Sequence, residues 1–323
     1  MKSHILGFPS LGFSGELKRA AEGYAAGLCS NSDFMKFCAK IRADNWLFQK
    51  SRGLDCVCVG DFAPVDRVLN SIIMLGAIPQ RFDEDAKTSH PLELSLKMAG
   101  MLKSSAEPLA SARWFDSRLF VSIPEIEPDT EFSFFCTKIL EDTVAASEAG
   151  YVPKPCMIGP FTFMRLARCD SAFDKWSKIY DLAGVYCEIL EALKEFAPFV
   201  QIAEPVFAED YLLMNPYRAL IAPVYERLNA AAGDSKIILT SFFDAFEKNL
   251  DAAISAGCAV LHVDCAKSVS ELDAVLESLP GEMSLSLGVV NGRDCWINDY
   301  EKSLAVVGRA KAALGPERVM VST

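Results

Sequence analysis

The residues best able to do chemistry in this chain stand where short apolar runs stop. Asp61, Glu125, Glu204, His262 with Asp264, and Asn291 with Arg293 each end or follow such a run. Pro9, Gly159-Pro160 and Asp244 mark further ends of the same kind. Polar and turn-forming types at nearly every end exceed what a uniformly apolar surface needs, so together they predict a ligand site. His262 and Asp264 alternate onto one face of an extended segment. Such a pair can hold a metal, but catalytic zinc takes three protein ligands, so a metal-free hydrogen-bonded pair is the plainer reading. Glu125 and Glu204 each adjoin a proline and can equally cap a neighbouring helix. Asn291-Gly292-Arg293 can be a turn alone, although a guanidinium at that position suits carboxylate binding. Two cations lie outside this set. Lys18 follows Glu16-Leu17 in the first turn of a helical pattern, where a lysine is ordinarily just solvated. Arg113 precedes Trp114-Phe115-Asp116, and an arginine beside rings can stack while it binds an anion.

The elements that must carry these residues alternate in period. Strands are expected at His4–Pro9, Asp55–Phe62, Leu119–Glu125, Cys156–Phe163, Phe199–Val206, Lys236–Phe243, Ala259–Cys265, Ser284–Val290 and Arg318–Ser322. Most are nearly continuous apolar runs, as strands covered on both faces require. Between them the period becomes helical. Leu17, Ala20, Ala21, Tyr24, Ala25 and Leu28 form one stripe, and Trp176, Ile179, Tyr180, Ala183, Tyr186 and Leu190 another. Ser268 with Glu271 predicts a capping box before Leu272, Val275, Leu276 and Leu279. The repeated strand–helix order predicts an α/β fold with a parallel sheet. Neither a Gly-x-Gly-x-x-Gly nor a Walker loop is present, which weakens dinucleotide and P-loop readings. The count fits a (β/α)8 TIM-like barrel spanning 1–323 with one extra strand, most simply Leu119–Glu125. A helical extension over 14–52 precedes it. A long insertion around 78–118 holds one helical pattern (Leu92, Leu94, Leu96, Met98, Met101, Leu102) and otherwise reads as loop.

Bulk properties narrow the function further. Of 323 residues, 51% are hydrophobic, enough for a large core, yet no run approaches the ~18 apolar residues that span a membrane. The opening Met1–Pro9 is too briefly apolar for a signal peptide. A net charge of −11 argues against general nucleic-acid binding, and an anionic ligand would need a local cluster of Lys and Arg. Eleven cysteines, an odd number in a large chain without an export signal, read as small buried hydrophobes in a reducing cytoplasm.

An ordered set of segments resembles one family. Gly7-Phe8-Pro9-Ser10-Leu11-Gly12, Glu16-Leu17-Lys18, Gly60-Asp61-Phe62 and Leu75-Gly76-Ala77-Ile78-Pro79-Gln80-Arg81 come first. Trp114-Phe115-Asp116, Pro124-Glu125, Lys154-Pro155, Gly159-Pro160-Phe161-Thr162 and Val200-Gln201-Ile202 with Glu204-Pro205 follow. Leu261-His262-Val263-Asp264, Gly288–Arg293 and Trp296 complete it. No piece is specific alone, but the order resembles the amino-terminal barrel of cobalamin-independent methionine synthases. That resemblance implies methyl transfer from 5-methyltetrahydrofolate polyglutamate to homocysteine, performed by two barrels. The carboxyl-terminal barrel holds zinc, which lowers the pKa of the homocysteine thiol. The amino-terminal barrel holds none and helps to bind the polyglutamate tail. It implies substrate binding by Glu16, Leu17, Lys18 and Arg113, the last standing where the family has Lys. Asp61, Glu125, Glu204, His262, Asp264, Asn291 and Arg293 become mouth contacts. His262 and Asp264 stand where the catalytic barrel has a His-x-Cys zinc pair, so neither zinc nor a catalytic residue is expected in this chain.

The sequence departs from the family at Ser10 (family Arg), Gly15 (a basic residue), Ala203 (Asp) and Asp294 (Asn). The family also continues beyond this point with a closing helix, a linker and the second barrel. The implied partners are the folate and a carboxyl-terminal catalytic barrel, in cis or in trans, with no nucleic acid and no membrane. Two other readings stay open: a stand-alone scaffold for a separate catalytic barrel, and a barrel of the wider group that includes uroporphyrinogen decarboxylase and corrinoid methyltransferases.

Overall fold

Strands that are apolar on both faces must be covered on both faces, and a closed ring of strands inside a ring of helices does this. The computed structural model describes residues 1–323 apart from Leu11, Phe13, Ser14, Asp170, Ser171 and Asp294, and apart from the side chains of Leu213 and Met214. The strands are β1 (Lys2–Ser3), β2 (Val57–Val59), β3 (Ser111–Arg113), β4 (Phe120–Ser122), β5 (Pro153–Ile158), β6 (Phe199–Ala203), β7 (Lys236–Thr240), β8 (Val260–Val263), β9 (Ser284–Gly288) and β10 (Val319–Ser322). Eight lie in one sheet in the order β1-β10-β9-β8-β7-β6-β5-β2. Each pairing is parallel. The two ends of the sheet meet at Ser3 and Asp55. The Asp55 amide donates to the Ser3 carbonyl at 3.1 Å, and the Ser3 amide and hydroxyl donate to the Asp55 carboxylate at 2.7 and 2.8 Å. This is the expected α/β, TIM-like barrel.

Two faces of each strand do different work. Outward residues such as Val200, Ile202, Leu239, Leu261, Val263 and Leu287 pack under helix residues Leu182, Tyr186, Val224 and Leu228 in the main core. Inward residues form layers. Cys56, Phe199, Ile238, Val260 and Met320 make an apolar plug, with the Lys2 ammonium 4.7 Å from the Phe199 ring. The next inward level is polar and fully or almost fully buried: His4, Cys58, Lys154, Cys156, Gln201, Thr240, His262 and Ser286.

Several strands end earlier than expected. The run Cys156–Phe163 does not stay extended: β5 stops at Ile158, and Pro160–Leu166 is a helix. Pro160 sits at the start of that helix, where its fixed φ and missing amide cost nothing. Glu204 supplies the rest. Its carboxylate accepts from the Phe161 amide at 3.0 Å and the Thr162 amide at 2.6 Å, and from the Tyr225 hydroxyl at 3.0 Å. A carboxylate at a helix start satisfies unpaired amides and suits the dipole. The expected capping box also resolves differently. Ser268 makes no cap, its hydroxyl donating to Asp244 at 3.1 Å instead. Glu271 accepts the Phe246 and Glu247 amides at 2.9 and 2.7 Å, capping the preceding helical turn rather than its own.

The extension consists of helices Glu16–Ala25 and Asn31–Ser51. Leu17 and Ala21 pack on Phe34, Cys38 and Ile41, and on Leu96 from the insertion. Leu28, the end of the expected stripe, lies past the helix and is 82% exposed. The insertion is more ordered than the sequence suggests. It holds helices Asp83–Thr88 and Pro91–Met98 and the strand β3, which pairs antiparallel with β4. The extra strand is therefore half of a hairpin outside the barrel.

The Glu204 cap leads to two expectations. Gly159 has an ordinary φ of −77°, so backbone freedom does not require glycine there. A Cβ at Gly159 would come within 2.2 Å of the Glu204 carboxyl carbon. Gly159→Ala should therefore lower stability by about 2–3 kcal/mol through overpacking alone, read as a lower denaturant midpoint at unchanged slope. Burial outweighs the hydrogen bonds to Thr162, Phe161 and Tyr225 and pushes the Glu204 carboxyl up from 4.5 to about 7. The folded protein thus holds this proton where the unfolded chain has lost it. The associated stability is present below about pH 4.5 and is lost as pH rises to about 7, by roughly 3 kcal/mol. Urea unfolding across that window should show Glu204→Gln without this downward slope; equal slopes in the two proteins would refute the assignment.

Candidate functional site at the barrel mouth

The carboxyl ends of β7, β8 and β9 meet the insertion hairpin at one place. The turn between β3 and β4, Trp114-Phe115-Asp116, bends over the mouth. The Phe115 ring stacks on Phe243, which follows β7, with centroids 6.1 Å apart and planes 23° apart. Trp114 meets Phe115 edge-on at 4.9 Å, and Phe242 meets Phe243 at 4.8 Å. Arg293, after β9, places its guanidinium 5.4 Å from the Phe243 ring and 3.4 Å from the Asp264 carboxylate. Lys267, after β8, bridges Asp116 of the turn at 3.2 Å and Asp244 at 3.6 Å. Burial would raise the Asp244 carboxyl, but the Ala245 amide, Ser268 and Lys267 outweigh it and hold it below the usual range.

Both stacked phenylalanines carry left-handed backbones, with φ 44° at Phe115 and 87° at Phe243. Bulky residues rarely adopt this region, and such strain concentrates at functional sites. The Arg293 amide donates to the Asn291 side chain at 2.9 Å, which sets the turn from which Arg293 projects.

One step down each strand lies the polar level. Ser286 Oγ joins two histidines, 2.8 Å from His4 Nε2 and 2.9 Å from His262 Nδ1. Burial, reinforced by the Lys154 charge, pushes His262 down to about 3 and lowers His4 well below its usual value, so both are neutral at pH 7. His262 Nε2, Ser241 Oγ and Ser322 Oγ are buried without a partner among the described residues. A Cβ at Gly288 would stand 3.0 Å from His262 Nε2, so glycine leaves that nitrogen its space. Lys154 donates to Gln201 and, at 3.2 Å, to Cys156 Sγ. Burial opposes ionisation of Cys156, but the Cys58 thiol and the Lys154 ammonium outweigh it and bring it down to about 6.

The residues singled out from the sequence do not all meet here. Asp264, Asn291 and Arg293 belong to the mouth, with His262 one level below. Arg113 ends β3, exposed, directly before the Trp114-Phe115 lid. Its side chain makes no ion pair among the described residues. Asp61 is buried, its Oδ2 accepting the Phe8 amide at 2.6 Å. Burial outweighs that bond and the nearby Arg67, raising its carboxyl. Glu204 is the helix cap described above, wholly buried. Glu125 follows β4, which is not a barrel strand, and forms a two-pronged pair with Arg81 at 2.5 and 2.9 Å. Glu16 lies against Gly12, where a Cβ would come within 2.2 Å of its carboxylate. Leu17 is buried in the extension. Lys18 is exposed and 3.9 Å from Glu22, one turn on. Asp294 lies outside the described residues.

Sequence reasoning missed Phe243 and Lys267 at the mouth, and Lys154, Gln201 and Ser286 beneath it. A double phenylalanine just before Asp244 was the available signal for the first. A lone polar residue in the middle of an apolar strand was the signal for Gln201, and the alternation of Ser284 and Ser286 with leucines was the signal for Ser286. Lys267 had none.

The mouth is suited to holding a planar or carboxylate-bearing ligand rather than to moving protons. Its carboxylates are paired, and its histidine is too weak a base at neutral pH. Among the described residues no group of three or more His, Cys, Asp or Glu side chains converges.

Comparison with known proteins agrees with this architecture. Residues 2–315 match the family described as cobalamin-independent synthase, N-terminal domain. A 5-methyltetrahydropteroyltriglutamate–homocysteine methyltransferase of Flavobacterium johnsoniae is 36% identical over 329 residues, covering 100% of this chain and 42% of the relative. One from Nitratidesulfovibrio vulgaris Hildenborough is 35% identical over 350 residues, covering 100% and 44%. The chain thus spans less than half the length of these relatives. A B12-independent methionine synthase from Shewanella sp. W3-18-1, solved with selenomethionine, shares the fold with a TM-score of 0.70 at 12% identity, over 91% of this chain and 82% of that one. On the strength of the family match over residues 2–315, the chain belongs to the cobalamin-independent methionine synthase family, within its amino-terminal domain.

Proposed function

We propose that this chain is the folate-side barrel of a two-barrel methyltransferase. It binds the polyglutamate tail of 5-methyltetrahydrofolate and relies on a zinc-bearing carboxyl-terminal barrel for methyl transfer to homocysteine. The observation that carries the reading is the length relation: the whole chain aligns with 42–44% of relatives named as 5-methyltetrahydropteroyltriglutamate–homocysteine methyltransferases. The tail is polyanionic, and the protein is acidic overall, so its capture depends on local cations. Lys18 and Arg113 are exposed and lightly committed, which leaves them able to neutralise glutamates. Arg113 adjoins the aromatic lid, so an anion held there lies beside the rings of Trp114 and Phe115. The partner barrel would dock next to the mouth. The loop and helix after β9 expose Trp296 by 80%, Ile297 by 90% and Tyr300 by 69%, and clustered exposed apolar side chains mark contact surfaces.

Two measurements test this reading. Calorimetry should find the pteroyl triglutamate bound at least about tenfold more tightly than the monoglutamate, with the preference shrinking at high salt. Lys18→Ala and Arg113→Ala should each reduce triglutamate affinity roughly two- to tenfold and leave the monoglutamate unchanged. Equal affinity for the two folates, or variants that bind like the parent, would overturn the tail-binding role. For docking, the chain mixed with the separately made carboxyl-terminal half of a relative should form methionine from homocysteine where neither does alone. Ile297→Asp should weaken that association at least about tenfold without lowering the chain's own melting temperature.

A further inference from the structure

A second concavity lies on the flank of the barrel, between the Asn31–Ser51 helix, the Arg67–Met74 helix and the ends of β2 and β5. Its volume is about 240 Å³, room for roughly eight waters at ~30 Å³ each. Phe62, Ile73, Met74 and Met157 give it apolar walls, and Arg42 and Arg67 reach it from two different helices.

The charges on this wall do not balance. Arg42, Arg67 and Lys138 face Glu141 and Asp142. Lys138 pairs with Asp142 and, at 3.8 Å, with Glu141. Arg42 Nε lies 3.2 Å from Asp142 Oδ1 but is buried without the alignment of a hydrogen bond. Arg67 makes no ion pair among the described residues, and its Nη2 is buried with no partner. Asp61, which feels Arg67 through space, accepts the Phe8 amide instead. Helix stability does not explain Arg67 either. It is the first residue of Arg67–Met74, the end at which the dipole disfavours a cation. An unmatched guanidinium against an apolar cavity carries a desolvation penalty that an anion would remove.

We propose that this cavity binds a small monocarboxylate with an apolar tail. The Arg67 and Arg42 guanidinium groups take the carboxylate, and the Phe62–Met157 walls take the tail. The site is separate from the mouth and does not depend on the folate reading. The test uses octanoate and octanol as probes in calorimetry of the full chain. Octanoate should bind at one site, at least tenfold tighter than octanol. Arg67→Gln should erase that preference. Met35→Trp fills the cavity from the other wall and should abolish octanoate binding while the protein melts no lower than the parent. Equal binding of the two probes, no saturable binding of either, or octanoate affinity unchanged in Met35→Trp would overturn the proposal. The last two readouts stand even where Arg67→Gln fails to fold.

Discussion

The arrangement of the barrel turns on one buried charge. Lys154 is wholly buried inside a closed ring of strands, where an unmatched ammonium would give up its proton. Burial does disfavour its charge, but the Cys156 and Cys58 sulfurs outweigh this, and its proton is held more tightly than in water. Gln201 offers its carbonyl oxygen to Lys154, so its amide nitrogen turns the other way and donates to the Leu6 carbonyl at 2.8 Å. One ammonium thereby orients a residue on β6 and ties it to the chain leaving β1. The same charge helps to keep His4 and His262 neutral, so the level holds a single cation balanced by one low-pKa thiol. The apolar plug beneath, built on Phe199 and Ile238, separates this level from the opposite end of the barrel.

Above that level the mouth is held under tension. Two left-handed phenylalanines cost on the order of 1–3 kcal/mol each. Their stacking returns about 0.5–1.5 kcal/mol beyond burial, which does not cover the cost alone. The remainder must come from the groups that clamp them: Arg293 over Phe243, Asp264 on Arg293, and Lys267 drawing Asp116 toward Asp244. These groups come from three strand ends and the insertion. The hairpin therefore serves as a mouth element, although by sequence it interrupts the barrel. Its position sets Arg113 at the end of β3, directly before the aromatic turn.

How much of this was legible in the sequence depends on the range of the interaction involved. Burial on both faces leaves a local trace in apolar runs, so most barrel strands could be read directly, although the first is Lys2–Ser3 and not the expected His4–Pro9. Their ends could not. β5 stops at Ile158, and Gly159-Pro160 marks that stop locally, but nothing within Cys156–Phe163 announces that Glu204, far along the chain, caps the next helix. Likewise Glu271 has the spacing of a local capping box, yet it serves an earlier turn brought near by the fold. Glu125 carried the signature of a barrel strand end, but β4 pairs with β3 in a separate two-stranded sheet. The polar interior escaped notice for a related reason. A single Gln201 or Ser286 within a strand is weak evidence until the closed barrel brings such residues onto one level.

The arginines separate structural from receptive cations. Arg81 is matched by Glu125, Arg218 by Asp251, and Arg293 by Asp264 and a ring. With carboxylates outnumbering basic residues 43 to 32, a nearby acid is the ordinary condition of a partly buried guanidinium here. Arg293 is fixed by its match and so defines a shape. Arg67 breaks the pattern on a chain with acids to spare, next to Asp61, whose carboxylate is turned to a backbone amide. Binding an anion requires such a donor to be held in place without being satisfied. A paired arginine must first give up its partner, whereas Arg67 has none to give up among the described residues.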